Sequence, residues 1–150
     1  MIIRPADLEK DALAIMEGAR DFANRTPIKS LLTGNSFIEA VSRVLTLPGF
    51  EVLLAEYKGQ VVGGIGILYG PLLWNSDFLT AEEHFWWTAK DAPFGTGKAL
   101  MNQTMAIINI KDAIPMFKSL STSHKGVDRI YRRFGMEPVE TLYMRIPNGD

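Results

Sequence analysis

The chain has 150 residues and a mass of 16.7 kDa, enough for one domain that builds its own core without a disulfide or a structural metal. Sixteen basic residues stand against seventeen acidic ones, a net charge of −1, which lacks the basic excess of a general nucleic-acid binder. With no cysteine and two histidines, the chain has no thiolate zinc site, iron–sulfur cluster or cysteine nucleophile, and a histidine-rich metal centre is not expected.

The opening Met1-Ile2-Ile3-Arg4 reads as a short strand. Through Asp7 it lacks the basic and then apolar profile of a secretory leader. Pro5-Ala6-Asp7 opens a helix capped by Asp7, with Leu8, Ala12, Ile15, Ala19 and Phe22 at helical spacing and Thr26-Pro27 as its end. Ser36 caps a second helix, with Phe37, Ala40, Val41, Val44 and Leu45 on one stripe and Pro48-Gly49 as the stop.

Residues 51–56 and 61–69 predict two strands joined by the turn Tyr57-Lys58-Gly59-Gln60. Gly70-Pro71 predicts a break and a loop to about Thr80, and residues 83–89 a strand rich in aromatics. The longest uncharged, mostly apolar run, 60–74, is interrupted by glycines and Pro71 and is too short to span a bilayer, so a soluble, cytoplasmic domain is expected. Pro93-Phe94-Gly95-Thr96-Gly97 is a glycine loop leading into a helix from Lys98 to about Asn109. Residues 114–120 predict a strand, 127–134 a short helix, and 136–146 a final strand or hairpin. The order β-α-α-β-β-β-α-β-α-β over 1–150 predicts a single α/β domain with a mixed sheet.

The chemistry concentrates where the aromatic strand runs through the glycine loop into a helix. Unpaired N–H groups and the macrodipole make such a helix start an anion site, and glycines let a phosphate approach the backbone. A P-loop requires Gly where Ala92 stands and Ser or Thr where Ala99 stands. A dinucleotide fingerprint from Gly95 requires a third Gly where Leu100 stands, and Gly64-Ile65-Gly66 lies inside a strand. Gly95 and Gly97 by themselves suit a tight turn equally well.

Ala92-Pro93-Phe94-Gly95-Thr96-Gly97-Lys98-Ala99 resembles the pyrophosphate loop of the GNAT superfamily of N-acyltransferases. The hairpin 55–63, the late Tyr131-Arg132-Arg133-Phe134-Gly135 and the opening Ile3-Arg4-Pro5-Ala6-Asp7 resemble the same family, in the same order, over nearly the whole chain. The acidic-aromatic strand also looks similar to compact phage and prophage members. Ala92 departs from the family, which usually has Arg or Gln there, and His124 stands where many members carry Asn.

The resemblance implies a GNAT-like fold and acyl transfer, usually acetyl, from acetyl-CoA to an amine by direct attack on the thioester. It implies cofactor contacts from the strand at Phe85, Trp87, Thr88 and Ala89, from the loop at Phe94, Gly95, Thr96, Gly97 and Lys98, and from His124. Tyr131 would be the general acid, its ordinary pKa of about 10 suiting a donor to a departing thiolate. The base is placed on Glu83 or His84 ahead of Glu82. The ordinary pKa of His84, about 6.5, already suits a base, whereas Glu83 needs burial among Phe85, Trp86 and Trp87 to raise it. Strand alternation puts Glu82 and His84 on one face and Glu83 on the other. Trp74, Trp86 and Trp87 serve a core or wall an acceptor pocket, and Arg129, Arg132 and Arg133 serve a solvated face or a coenzyme A phosphate. The expected partner is a small-molecule or peptide amine, without a membrane. Nucleic acid is disfavoured, a modified base remains open as acceptor, and a homodimer is compatible. The alternative is a non-catalytic module of the same fold that binds acyl-CoA without turnover.

Overall fold

The structure is a computed structural model that describes residues 1–121, 123 and 126–145. Strand β1 (Ile2–Pro5) leads into α1 (Leu8–Arg25), a short 3-10 turn (Lys29–Leu31) and α2 (Gly34–Leu45). Then come β2 (Phe50–Tyr57), β3 (Gln60–Leu72), β4 (Asn75–Thr88), α3 (Thr96–Ile110), β5 (Ile114–Met116) and α4 (Gly126–Arg133). The five strands form one sheet in sequence order, antiparallel except for the parallel pair β4 and β5. The expected mixed α/β fold is present.

Each face of the sheet carries its own core. On one face Leu53, Ala55, Ile65, Ile67 and Ala81 pack with Leu100, Met101 and Ile108 of α3 and Tyr131 of α4. On the other Val52, Leu54, Phe85 and Trp87 pack with Ile15 of α1. Successive side chains of each strand point to opposite faces, and both faces are covered, which produces this division.

Asp7 caps α1 as expected, its carboxylate accepting the Glu9 N–H at 3.2 Å. The buried stripe is rotated from the expected one: it runs through Asp11, Ile15, Gly18, Ala19 and Ala23, while Leu8 and Ala12 stay exposed. Asp11 is tolerated inside because Arg4 of β1 grips it bidentately, at 2.7 and 2.9 Å, and the Asp7 N–H donates to it at 2.8 Å. Arg4 Nε also donates to Glu56 at 2.8 Å, tying α1 to β1 and β2.

These donors hold the Asp11 carboxyl down at about 2, against an ordinary 3.8. A depressed folded pKa contributes stability that is complete above the unfolded value and lost as pH falls toward the folded one. The stability advantage of the wild type over Asp11→Asn is therefore expected to shrink by on the order of 2 kcal/mol between pH 4 and pH 2. Denaturant midpoints of both proteins across that window measure it, and a constant difference would refute the assignment.

Ser36 does not cap the second helix but lies inside α2, which starts at Gly34 after Thr33 with no side-chain cap, and three further expected boundaries are corrected. The expected loop after Gly70-Pro71 is the far arm of the β3–β4 hairpin, with Gly70 opposite Thr80 and Pro71 opposite Leu79. Strand β2 ends its pairing at Leu68, so beyond that point β3 is an edge and Pro71 needs no N–H on that side. The strand expected over 114–120 stops at Met116, because β4 and β5 part there. The final strand expected over 136–146 is absent from residues 136–145, where Val139, Leu142 and Tyr143 are exposed, and Ile146 lies outside the described residues.

Candidate active site

The parting of β4 from β5 makes the site. The two pair only from Thr80 to Glu82 against Ile114 to Met116. Beyond that, side chains replace the ladder: Glu83 Oε2 accepts the Lys118 N–H at 3.2 Å, and Lys118 Nζ donates to Glu82 Oε1 at 2.6 Å. The Lys118 carbonyl accepts the Tyr131 hydroxyl at 2.9 Å. One peptide neighbourhood, at Lys118, thus joins both candidate acid–base groups.

A β-bulge decides which side chains meet there. Gly66 pairs with Phe85 but Ile67 pairs with Glu83, so His84 is an extra residue in β4. Before the bulge Glu83 shares the α3 face with Ile67; after it Trp86 shares that face with Ile65, while Phe85 and Trp87 turn to α1. Plain alternation would have put Glu83, Phe85 and Trp87 together. Glu83, Trp86 and Tyr131 come together instead.

The same register sorts the backbone. The Ala89 N–H donates to the Val62 carbonyl at 2.9 Å, and alternation assigns the peptide groups of Phe85, Trp87 and Ala89 to β3. Those of Trp86 and Thr88 face the opened gap. Of the strand residues expected at the cofactor, Thr88 has its peptide groups toward the gap, whereas those of Phe85, Trp87 and Ala89 are turned to β3; Trp86, expected in the core or in a pocket wall, also has its peptide groups toward the gap.

At the mouth of the gap lies the start of α3. Gly95 caps it at φ 91°, a conformation that favours glycine, and no side chain caps the helix or adds an acid to its first turn. The first-turn N–H groups at Gly97 and Lys98 therefore point outward. The Thr96 hydroxyl and N–H both donate to the Pro93 carbonyl, at 2.7 and 3.1 Å, so the outward donors of the first turn begin at Gly97. Phe94 and Lys98 are exposed, and Ala92 packs toward the core. Gly63 allows α3 to sit this close: a Cβ there would lie 3.2 Å from Leu100 and 3.3 Å from Thr96.

The gap opens into a cleft of about 410 Å³, of a size that takes a small-molecule ligand. Trp86, Trp87 and Thr88 of β4 line it together with Gly97 of α3. Phe22, Arg25 and Thr26 at the end of α1 close one side, and Leu120, Ser123 and Val127 close the other. The α1 residues carried no sequence signal, since their role depends on where the helix ends over the sheet. Arg25 is paired with Asp21 one turn back.

Glu83 and Tyr131 are buried beside this cleft rather than lining it. Burial pushes the Glu83 carboxyl up to about 7, against the pull of the Lys118 N–H and ammonium. The Tyr131 hydroxyl is raised by burial and then by the negative charges of Glu83 and Asp128. His84 lies on the opposite face, edge-on to Phe50 at 5.8 Å, with its pKa lowered by burial and then by the Lys118 charge. Its Nε2 is 3.9 Å from Glu82, whose carboxyl is lowered chiefly by its hydrogen bond to Lys118. His124 lies outside the described residues. Arg129, Arg132 and Arg133 are exposed on α4. Among the described residues, no helix is long and apolar enough to cross a membrane.

No protein-family model and no curated protein matches the chain. Solved structures match nearly all of it. A GCN5-related N-acetyltransferase from Ralstonia eutropha JMP134 is 17% identical, with a TM-score of 0.74 and 97% of each chain covered. A ribosomal-protein-alanine N-acetyltransferase from Brucella melitensis biovar Abortus 2308 is 14% identical, with a TM-score of 0.73 over 97% of this chain and 99% of that one. An acetyltransferase from Trypanosoma brucei is 16% identical, with a TM-score of 0.69 over 98% of this chain and 99% of that one. At such identities the likeness is one of architecture: the chain has the fold of the GCN5-related N-acetyltransferases.

Proposed function

We propose that this protein transfers an acyl group, acetyl in the first instance, from coenzyme A to a primary amine of a small molecule or peptide. The observation that carries the reading is the opened β4–β5 pair with an uncapped helix N-terminus at its mouth. An anion held at Gly97 and Lys98 by backbone N–H groups would send a slender arm along Thr88 and Trp86 toward Glu83 and Tyr131. The N-acetyltransferase names of the structural neighbours support the same chemistry.

In this reading Glu83 takes the proton of the incoming amine as its nitrogen attacks the thioester carbonyl. An outward peptide N–H of β4 stabilises the oxyanion. The carbon–sulfur bond then breaks, and Tyr131 protonates the leaving thiolate. For that step the Tyr131 hydroxyl must turn from the Lys118 carbonyl to the sulfur. Its present hydrogen bond favours the second reading, a module that binds acyl-CoA without turnover. Calorimetry with acetyl-CoA, followed by an amine-library screen for free thiol release, separates the two.

The placement of the anion has its own test. An acidic residue in a first helical turn favours the helix, so Gly97→Asp should fold. Its carboxylate would occupy the phosphate position. Acetyl-CoA affinity is expected to fall by more than tenfold, over ~1.4 kcal/mol. Gly97→Ala controls for size, since a Cβ there stands 3.3 Å from Trp86 Cζ2. Unchanged affinity in the folded Asp variant refutes the placement.

A further inference from the structure

Trp86 stands midway between the two ends of the proposed path. A Cβ on Gly97 would lie 3.3 Å from its Cζ2 and 3.8 Å from its Cε2, so the ring edge bearing the indole nitrogen adjoins the start of α3. On its other side the ring centroid lies 6.3 Å from that of Tyr131. Its Nε1 is buried and has no hydrogen-bond partner among the described residues. An indole nitrogen is a donor only, and a buried donor without an acceptor is costly to leave unmade. Trp86 also lines the cleft. Because that nitrogen itself has almost no accessible surface, an acceptor atom in the cleft reaches it only when the ring turns, and the bond then made satisfies a donor that is otherwise unpaired.

We propose that the Trp86 indole N–H is a ligand-binding donor that hydrogen-bonds an amide carbonyl of the pantetheine arm of acyl-CoA. This rests on the acyl-CoA reading above and adds a residue and an atom to it. The phosphates have the N–H groups of α3, and the thioester has Glu83 and Tyr131. The uncharged arm between them passes Trp86, and its amide carbonyls are the acceptors of matching chemistry.

Trp87 supplies an internal control. Its Nε1 is also buried and unpartnered among the described residues, but its ring is wedged between α1 and β3 on the opposite face. A Cβ on Gly18 would fall 2.4 Å from that nitrogen and one on Gly64 3.1 Å from it. Trp87 lines the cleft too, but its nitrogen lies beside Gly18 of α1 and Gly64 of β3, on the face away from Glu83 and Tyr131.

The chain has three tryptophans, so a 15N-indole spectrum has three resonances, assigned by Trp→Phe variants. The wild type is titrated separately with coenzyme A, pantetheine and adenosine 3′,5′-bisphosphate. The Trp86 indole proton should shift downfield with coenzyme A and with pantetheine, and not with the bisphosphate, while Trp87 stays. Trp86→Phe should bind coenzyme A about tenfold more weakly, with the Trp74 and Trp87 resonances reporting that it is folded. Coenzyme A binding to the wild type without that shift, or binding equally well to Trp86→Phe, overturns the proposal. A shift produced by the bisphosphate assigns the donor to a phosphate and overturns the pantetheine assignment. If the wild type binds no coenzyme A at all, the acyl-CoA reading itself fails, and the proposal falls with it.

Discussion

Glu83→Gln is expected to abolish most turnover and at the same time to stabilise the protein above neutral pH. As the base, Glu83 must be ionised, and its carboxyl is pushed up to about 7 by burial. The wild-type rate on a subsaturating amine should therefore fall on the acid side with a midpoint near that value. General-base catalysis is worth about 10²–10⁴-fold, and the variant should lose that much together with the acid limb. Stability moves the other way. A carboxyl whose folded pKa lies above its unfolded 4.5 has its full stabilising contribution below 4.5 and loses it as pH rises through about 7. Ionised Glu83 thus costs the fold on the order of 2–3 kcal/mol at pH 8. Glutamine keeps the acceptor for the Lys118 N–H and removes that cost. His84→Asn, altering the opposite face, should leave the limb in place. A limb that survives in Glu83→Gln and moves in His84→Asn would transfer the role to His84; a limb unmoved in both points to a water relay.

Tyr131→Phe is expected to bind acetyl-CoA as the wild type does and to turn over about 10²–10⁴-fold more slowly. The ring between Trp86 and Phe117 is retained, with centroids at 6.3 and 5.6 Å, so packing survives. What is lost is the proton donor and the bond to the Lys118 carbonyl, the latter worth about 1 kcal/mol. The raised pKa of Tyr131 keeps the phenol protonated throughout the neutral range, so it adds no basic limb there. If turnover is unchanged and only the unfolding midpoint drops, Tyr131 is a tie between α4 and the segment after β5, and another group protonates the thiolate.

Much of this fold is legible in local sequence because local chemistry decides it. Asp7 caps α1, Lys58-Gly59 turns β2 into β3, and the glycine loop starts α3. Those features act within a few residues of themselves, where capping, turn geometry and periodicity operate. The loop at Gly95 and Gly97 is legible as an anion site for the same reason.

What tertiary structure alone decided lies in pairings between distant segments. Asp11 lies off the expected apolar stripe of α1 and is nevertheless buried, because Arg4 of β1, itself tied to Glu56 of β2, grips it. Gly64 and Gly66 look like fragments of a phosphate motif and are the spaces into which the Trp87 and Phe85 rings fit. His84 looks like an ordinary strand position and is the extra residue of a bulge, visible only once β3 supplies the register. That single inserted residue shifts every later side chain of β4 by one face, bringing Trp86 rather than Trp87 to the side of Glu83 and Tyr131. A strand's side-chain period is two, so a one-residue slip exchanges inside for outside, and only the partner strand determines whether the slip occurs.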